Sequence, residues 1–190
     1  GISLYRPGPM DSIPTYLEYK HNPEKITYIH EKLKPIMEVT YGCLIYQEQV
    51  MEVVRELGGY SYGRSDLVRR AMGKKKMDVM EEERQYFIHG KTDENGNIEI
   101  AGCVRNGVDE QTANKIFDDM IDFAKYAFNK SHAAAYGVIA YETAYLKAHY
   151  PVEFMAALIT SVMGNTDKVV EYIRECNALN IKVLKPDINK

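Results

Sequence analysis

Hydrophobic positions return every three or four residues along most of this 190-residue chain. The clearest segment spans 47–57, where the apolar side chains share one face of a predicted helix. Two glycines follow it and predict its end, because glycine readily adopts the left-handed conformation that terminates helices. The apolar residues are Val50, Met51, Val54 and Leu57, and the glycines are Gly58 and Gly59.

The same spacing predicts a mainly α fold built from several helices. We expect Ser65 and Thr166 to act as N-caps and Ser131 to open a long helix. Pro151 then stops or kinks that helix, and the apolar stretch 152–163 is expected to be buried. The predicted helices span 13–20, 47–57, 66–72, 75–89, 112–128, 131–149 and 166 to about 179.

Residues 92–107 break the helical pattern. Positions 93–97 read Asp-Glu-Asn-Gly-Asn, which is a turn signal. Ile98, Ile100 and Val104 then alternate with polar or small residues. We predict a short β-hairpin or a structured loop in this segment.

The predicted helix 131–149 carries two further patterns. Small residues return every three or four positions, and we expect another element to pack closely against them. Three tyrosines on this helix are expected to be core or half-buried side chains rather than a base-stacking platform. The small residues are Ala133, Gly137, Ala140, Ala144 and Ala148, and the tyrosines are Tyr136, Tyr141 and Tyr145.

Composition narrows the class of protein. Hydrophobic residues make up 45% of the chain and charged residues 27%, which excludes a mainly disordered or fibrous protein. No apolar run approaches the roughly 20 residues of a membrane span, and the first residues lack the apolar core of a secretion signal. The chain begins without a methionine, and we expect it to be a piece of a longer protein.

Cysteine usage gives an expectation about the compartment. The three cysteines are widely spaced, and no CxxC or paired Cys/His spacing accompanies them. This pattern predicts free thiols in a reducing cytosol rather than a zinc site. They are Cys43, Cys103 and Cys176.

The net charge of −3 hides a concentrated basic segment. Residues 64–76 carry six basic side chains and one acidic side chain. Arg69 and Arg70 are adjacent, and Lys74 follows about one helical turn later. One guanidinium group can bind two phosphate oxygens at once, and a lysine adds a point charge. The segment is therefore a candidate phosphate site. A solvated basic face that pairs with the acidic residues 81–83 explains the same pattern, and the sequence leaves both open.

A second candidate site lies where Lys130, Ser131 and His132 gather at the start of a predicted helix. The free N–H groups and the dipole of a helix N-terminus favour an anion there. Ser131 can cap the helix, bind an oxyanion, or do both, and His132 can donate to a phosphate. An ordinary N-cap with a bystander histidine accounts for the same residues.

Tyr5 and Arg6 precede Pro7 and Pro9, which stiffen the backbone. This arrangement suits a contact to a nucleic-acid base or phosphate, and a domain linker accounts for it equally. The sequence contains no GxSxG, HExxH or GxGxxG motif and no Walker loop. No sequence motif therefore favours hydrolytic or redox catalysis.

Taken together, several strings of this sequence resemble the fingers domain of bacterial DNA polymerase III alpha subunits, which form polymerase family C. They follow one another from one end of the chain to the other, and multi-residue strings in a fixed order make the resemblance specific. The strings are 4–10 (LYRPGPM), 41–42 (YG), 46–51 (YQEQVM), 69–75 (RRAMGKK), 128–136 (FNKSHAAAY), 146–151 (LKAHYP) and 186–189 (PDIN).

The resemblance implies a part of a bacterial DNA-directed DNA polymerase for chromosome replication, in the cytoplasm at the nucleoid and without a membrane. In this family a separate palm carries three aspartates that bind two Mg²⁺ ions. We therefore expect this chain to bind no metal and to be inactive alone. The implied partners are primer–template DNA, the incoming deoxynucleoside triphosphate (dNTP), the palm and thumb of the same polypeptide, and, through other regions, the sliding clamp and further replisome subunits.

With this resemblance, the candidate residues form two hypothetical sets. One set would bind the triphosphate of the incoming nucleotide, as two walls of one pocket: Arg69, Arg70 and Lys74 on one side and Asn129, Lys130, Ser131 and His132 on the other. The second set would contact DNA: Tyr5, Arg6, Lys75 and Lys76.

We interpret the whole chain, 1–190, as one fingers domain. Other classes stay open at this point: a helical protein-interaction domain, a general nucleic-acid binder that contacts only phosphates, and a hydrolase that uses His132. The expected parts of the domain are a stiff loop that follows the palm (1–13), a first helical part with the Arg/Lys-rich segment (14–90), an insertion (92–107), a second helical part (109–180) and an exit segment (181–190), which starts as an extended tail.

Overall fold

The computed structural model describes residues 1–6, 9–74, 76–124 and 126–185. Across these ranges the chain is mainly α-helical with one two-stranded antiparallel sheet, which confirms the predicted fold class. The elements are α1 (Ile13–His21), α2 (Lys34–Met37), α3 (Gln47–Gly58), α4 (Tyr62–Gly73), α5 (Met77–His89), β1 (Lys91–Thr92), β2 (Ile98–Ile100), α6 (Glu110–Ala124), α7 (Lys130–His149), α8 (Pro151–Ser161) and α9 (Thr166–Ala178).

The chain divides into two compact units, 1–133 and 134–190. The boundary lies within the residue range of α7. The division into parts that we expect from the sequence stays a prediction. Its first part includes Pro7 and Gly8, and its last part includes 186–190, all of which lie outside the described residues.

The core of the first unit is built around α3. Val50, Val53, Val54 and Leu57 are each at most 1% exposed, as the apolar face of the predicted helix requires. Full burial of such a side chain stabilises a fold by about 1.5–3 kcal/mol. The same core holds Phe87 of α5 and Phe117 of α6, whose ring centroids lie 5.5 Å apart. This core fixes the helices from which the candidate site projects.

Two of the predicted N-caps, Ser65 and Thr166, are wrong. Helix α4 begins at Tyr62, and the Oγ atom of Ser61 accepts a hydrogen bond from the Arg64 backbone N–H (3.2 Å). Ser65 is buried within the helix and donates its hydroxyl to the Tyr62 carbonyl (2.7 Å). The cap of α9 is Asn165, which accepts from the Lys168 N–H (3.1 Å), so Thr166 is the first helical residue.

Helix α6 ends four residues earlier in the sequence than predicted. It begins at Glu110, where the Asp109 carboxylate accepts from the Thr112 N–H (2.9 Å), and it ends at Ala124 rather than at 128. Phe128 leaves the helix because its backbone pairs with Tyr46 in an isolated parallel bridge. A long-range backbone pairing therefore overrides the local helical pattern.

The predicted hairpin is present, with β1 and β2 as its strands. Asp93 closes the turn, because its carboxylate accepts from the backbone N–H groups of Asn95 (2.9 Å) and Asn97 (2.8 Å). The hairpin is tied to α5 beyond its strands, since the Cys103 N–H donates to the Phe87 carbonyl (2.7 Å).

Gly102 is the tightest point of this junction. Its φ is +82°, and a Cβ atom there would lie 2.3 Å from the backbone nitrogen of Gly90. We expect Gly102→Ala to lower the free energy of unfolding by at least about 2 kcal/mol, because left-handed strain adds to a backbone clash. Urea denaturation of the 190-residue chain measures this change.

Gly107 provides the matched control for that substitution. Its φ of +83° is nearly the same, but a Cβ atom there would meet nothing within 4 Å. Gly107→Ala therefore carries the conformational strain without the clash. Equal losses for the two variants would show that the close approach to Gly90 does not limit stability.

Three expectations about burial are wrong in the second unit. The part of helix α7 within it has no buried residue, and its tyrosines are 50%, 69% and 45% exposed at positions 136, 141 and 145. Gly137, Ala140, Ala144 and Ala148 are exposed too, so no close packing on the small-residue stripe is present within this unit. In the stretch 152–163 only Met155 is buried. A unit of this size has little interior, so it cannot bury an apolar helix on all sides.

All three cysteines are free thiols. Cys103 and Cys176 are buried and Cys43 is half-buried, and burial raises the pKa of the Cys103 thiol to about 12. Among the helices within the described ranges, none is long and apolar enough to cross a membrane.

Candidate functional site

The N-terminus of α3 is the point where distant parts of the first unit meet. The Gln47 N–H donates to the Phe128 carbonyl (2.9 Å), next to the Tyr46–Phe128 bridge. Buried Gln49 fixes the approach to the helix, because its Oε1 atom accepts from the N–H groups of Ile45 and Tyr46, both at 2.9 Å. The residues around 46–49 therefore have a rigid backbone on which side chains can be placed.

The two predicted arginines share one carboxylate. Arg69 reaches Asp66 at 2.8 Å, and Arg70 reaches its other oxygen at 2.7 Å. The hydrogen bond from Arg69 holds the pKa of Asp66 below its ordinary value, so the carboxylate stays ionised at neutral pH. The Arg70 side chain is 63% exposed, whereas that of Arg69 is 30% exposed. Asp66 thus orients both cations and leaves much of Arg70 open.

Gln47 joins this arginine pair to the second candidate segment. Arg69 donates to the Gln47 Oε1 atom (3.2 Å), and the Gln47 amide donates to the Ala127 carbonyl (3.3 Å). One half-buried side chain therefore spans from α4 to the residues just before α7. The two segments that the sequence predicts to form one site are close together in the structure.

Glu48 holds the start of α7 from the neighbouring position. Its carboxylate accepts from the Asn129 side-chain amide (2.9 Å) and from the Lys130 backbone N–H (3.0 Å). The helix cap is Asn129, whose Oδ1 atom accepts from the His132 N–H (2.9 Å). The expectation that Ser131 opens this helix is wrong, because α7 begins at Lys130, and Asn129 rather than Ser131 takes the cap position.

Phe128 brings two further predicted residues to the same place. The Arg6 guanidinium lies 4.6 Å from the centroid of its ring, and the His132 ring meets it edge-on at 5.4 Å. The Lys130 ammonium lies 5.9 Å from the centroid of the Tyr46 ring. Residues from four separate parts of the sequence thus surround the N-terminus of α3.

Other predicted residues lie apart from this network. Tyr5 is 78% exposed. Lys74 and Lys76 are exposed, and their backbone N–H groups bond back to Arg70 and Ala71. Lys75 lies outside the described residues. Within the described part of the chain, the Gln47 side chain bonds to both segments, and the Glu48 side chain bonds to the second one only.

Among the described residues of the basic segment, the alternative of a basic face paired with residues 81–83 holds for Arg64. Arg64 binds buried Glu83 (2.6 Å), but Arg69 and Arg70 bind Asp66. Glu81 pairs with Arg84, and Glu82 accepts from the Tyr86 hydroxyl (2.5 Å). The arginine pair is therefore held separately from that acidic run.

Sequence reasoning missed Gln47, Glu48 and Asp66. The role of Asp66 could have been predicted from its spacing. It precedes Arg69 by three residues and Arg70 by four, which places all three side chains on the same face of a helix. Gln47 and Glu48 stand within one of the matching strings, but their partners lie about eighty positions away in sequence. No local pattern assigns such partners.

Comparison with known proteins shows the family of this chain. A family model for the bacterial DNA polymerase III alpha subunit finger domain matches residues 1–95. The chain belongs to this family.

Individual relatives agree over nearly the whole chain. The chain is similar to the DNA polymerase III subunit alpha of Thermus aquaticus, with 49% identity over 100% of the chain. It is 43% and 48% identical, over 99% of the chain in each case, to the subunits of that name from Bacillus subtilis and Borreliella burgdorferi. The chain spans only 15–16% of the length of these relatives.

The described residues do not form a metal centre. They contain no group of three or more His, Cys, Asp or Glu side chains that could hold a metal ion.

Proposed function

We propose that this chain binds the triphosphate of an incoming dNTP within a bacterial DNA polymerase. The observation that supports it most is the Gln47 bridge, which brings Arg69 to the segment that precedes Lys130 and His132. Two cationic segments that lie apart in sequence are thereby held on one surface. A triphosphate presents several anionic oxygens. Cations on two sides of the ligand can bind more of these oxygens than a single cluster of cations can.

The charges of the site suit this ligand. Arg69 and Arg70 are oriented by Asp66, and oriented guanidinium groups bind phosphate oxygens with two parallel hydrogen bonds. Phosphoryl transfer depends mainly on positioning and on stabilising the charge of the phosphates. Donors that are fixed before the reaction stabilise that charge without a cost of reorganisation.

The rest of the proposal concerns the longer polypeptide. In it, this chain acts with a palm that holds Mg²⁺ and with a thumb, on primer–template DNA, in the bacterial nucleoid. The sliding clamp and other replisome subunits bind elsewhere. The chain alone does not polymerise DNA, because it contributes nucleotide binding and no catalytic aspartates. Tyr5, Arg6, Lys75 and Lys76 are proposed to contact DNA.

The test uses the full-length polymerase with a dideoxy-terminated primer, so that dNTP binding is measured without turnover. We expect Arg69→Ala and His132→Ala each to raise the Kd for the next correct dNTP by about tenfold, as loss of one charged hydrogen bond does. The affinity for primer–template DNA is expected to stay within about threefold, because DNA affinity sums many separate phosphate contacts.

Arg105→Ala provides the control, since Arg105 is an exposed arginine outside the network. If its effect on dNTP binding equals that of Arg69→Ala, the site is not specific and the proposal fails. A parallel fall of DNA and dNTP affinity that salt removes would favour a general nucleic-acid binder instead.

A further inference from the structure

The side chain of Gln47 makes two bonds in opposite directions. Its Oε1 atom accepts from Arg69 Nη1 (3.2 Å) and its Nε2 atom donates to the Ala127 carbonyl (3.3 Å). Its backbone N–H is fixed separately by the Phe128 carbonyl (2.9 Å). Because its backbone is fixed, the position of its amide depends on the side-chain torsions and on these two partners.

Arg69 depends on this amide more than Arg70 does. Asp66 binds both arginines, but Gln47 is a second partner of Arg69. Asp66 and Arg69 lie on the same helix, so their ion pair cannot set the distance from Arg69 to another segment. The bond to Gln47 does set that distance, because Gln47 is anchored to the residues that precede α7.

We propose that Gln47 is a positioning residue that couples Arg69 to the Ala127–His132 side of the nucleotide site. This inference rests on the proposed function and names a residue that would act through Arg69 rather than touch the nucleotide. Losing the amide would leave Arg69 paired with Asp66 but free to turn away from the second segment. Small displacements of a binding group lower reaction rates strongly.

A double-mutant cycle in the full-length polymerase tests this coupling. The readout is kpol/Kd for a correct dNTP in single-turnover incorporation. Gln47→Met keeps the length and the helix preference of the side chain but removes both amide bonds. We expect it to lower kpol/Kd by about tenfold in the wild-type enzyme and by no more than about twofold in the Arg69→Ala enzyme.

A merely structural role gives a different result. If Gln47 only stabilised the start of α3, its loss would lower kpol/Kd by the same factor in both backgrounds. Equal factors therefore overturn the inference. Gln85→Met is the matched control, since Gln85 is an exposed glutamine on α5. It is expected to leave kpol/Kd unchanged.

Gln47→Glu keeps the test valid if the methionine variant does not fold. It retains an oxygen for Arg69 and loses the donor to Ala127, so we expect a kpol/Kd between those of wild type and Gln47→Met. A value equal to wild type would overturn the inference.

The cycle also separates this inference from the proposed function. If Arg69→Ala alone leaves dNTP use unchanged, the proposed function fails and the role of Gln47 fails with it. If Arg69→Ala is impaired and Gln47→Met adds its full factor, only the role of Gln47 fails.

Discussion

Replacing Arg70 with alanine in the full-length polymerase is expected to lower dNTP incorporation by roughly 100-fold or more. Removing one donor from a preorganised site costs about 2.7–4 kcal/mol of transition-state stabilisation, which corresponds to this factor. Arg70 suits this role because Asp66 orients it while its side chain stays 63% exposed. Single-turnover incorporation, with enzyme in excess over primer–template, measures the effect directly.

Two comparisons sharpen the Arg70 experiment. Arg70→Lys keeps the charge and loses the planar fork, so it is expected to recover only part of the rate. Arg105→Ala removes an exposed arginine outside the network and is expected to change the rate by less than twofold, as surface substitutions usually do. An effect of Arg70→Ala below about threefold would remove Arg70 from the proposed site.

Replacing Glu83 with alanine is expected to lower the free energy of unfolding by about 3 kcal/mol, because the largely buried Arg64 guanidinium loses its short buried ion pair and keeps only the more exposed Glu99 carboxylate, 3.6 Å away. Glu83 is 5% exposed and binds Arg64 at 2.6 Å, and the Tyr60 hydroxyl donates to it at 3.0 Å. Burial, followed by the Glu83 charge, raises the pKa of Tyr60 above its ordinary value, so Tyr60 stays a donor. Urea denaturation of the 190-residue chain checks this expectation.

Glu81→Ala is the control for Glu83→Ala. Its side chain is 65% exposed and pairs with Arg84 at 3.3 Å, and such pairs contribute about 0–1 kcal/mol. If Glu81→Ala and Glu83→Ala lower the free energy of unfolding equally, burial of the Arg64–Glu83 pair does not increase its contribution to stability. The double variant Arg64→Met/Glu83→Leu is expected to recover stability relative to Glu83→Ala, because hydrophobic residues can replace a buried ion pair.

Local patterns predicted the elements of this fold well and their ends less well. The apolar face of α3 and the two glycines after it sufficed to place that helix. Ser61 and Ser65 are both good N-cap residues, and so are Asn165 and Thr166. Two nearby residues of this kind have nearly equal preferences for the N-cap position, and the packing of the surrounding protein decides which of them caps the helix. Ser65 does not cap α4, because the helix begins three residues before it and the Ser65 side chain is buried.

Burial in α7 was predicted wrongly for a different reason. A helix that is apolar on all sides is typical of a core, and the sequence of α7 has this character. The second unit has too few residues to surround it, so Tyr141 stays 69% exposed. The sequence pattern gives the preference of a helix for burial but not the amount of protein available to bury it.

The sequence suggested candidate residues for the site but not the bonds that connect them. Charge and the resemblance pointed to Arg69, Arg70 and the start of α7, and their role in nucleotide binding stays a prediction. The sequence did not identify Gln47 or Glu48, because their roles depend on partners that tertiary structure brings to them. Asp66 was the exception, since its spacing to both arginines is local and could have been used.

The bridge between Tyr46 and Phe128 has a consequence for the order in which this molecule folds. Asn129 and Glu48 are 81 positions apart, whereas α3, α4 and α5 follow one another along the chain. Contacts of short sequence separation form early, and contacts that close long loops form late. On a growing polypeptide, the helices that carry the arginines can be complete while the opposite side of the site is still unsynthesised. The surface that would meet the nucleotide therefore arises as one of the last features of the first unit.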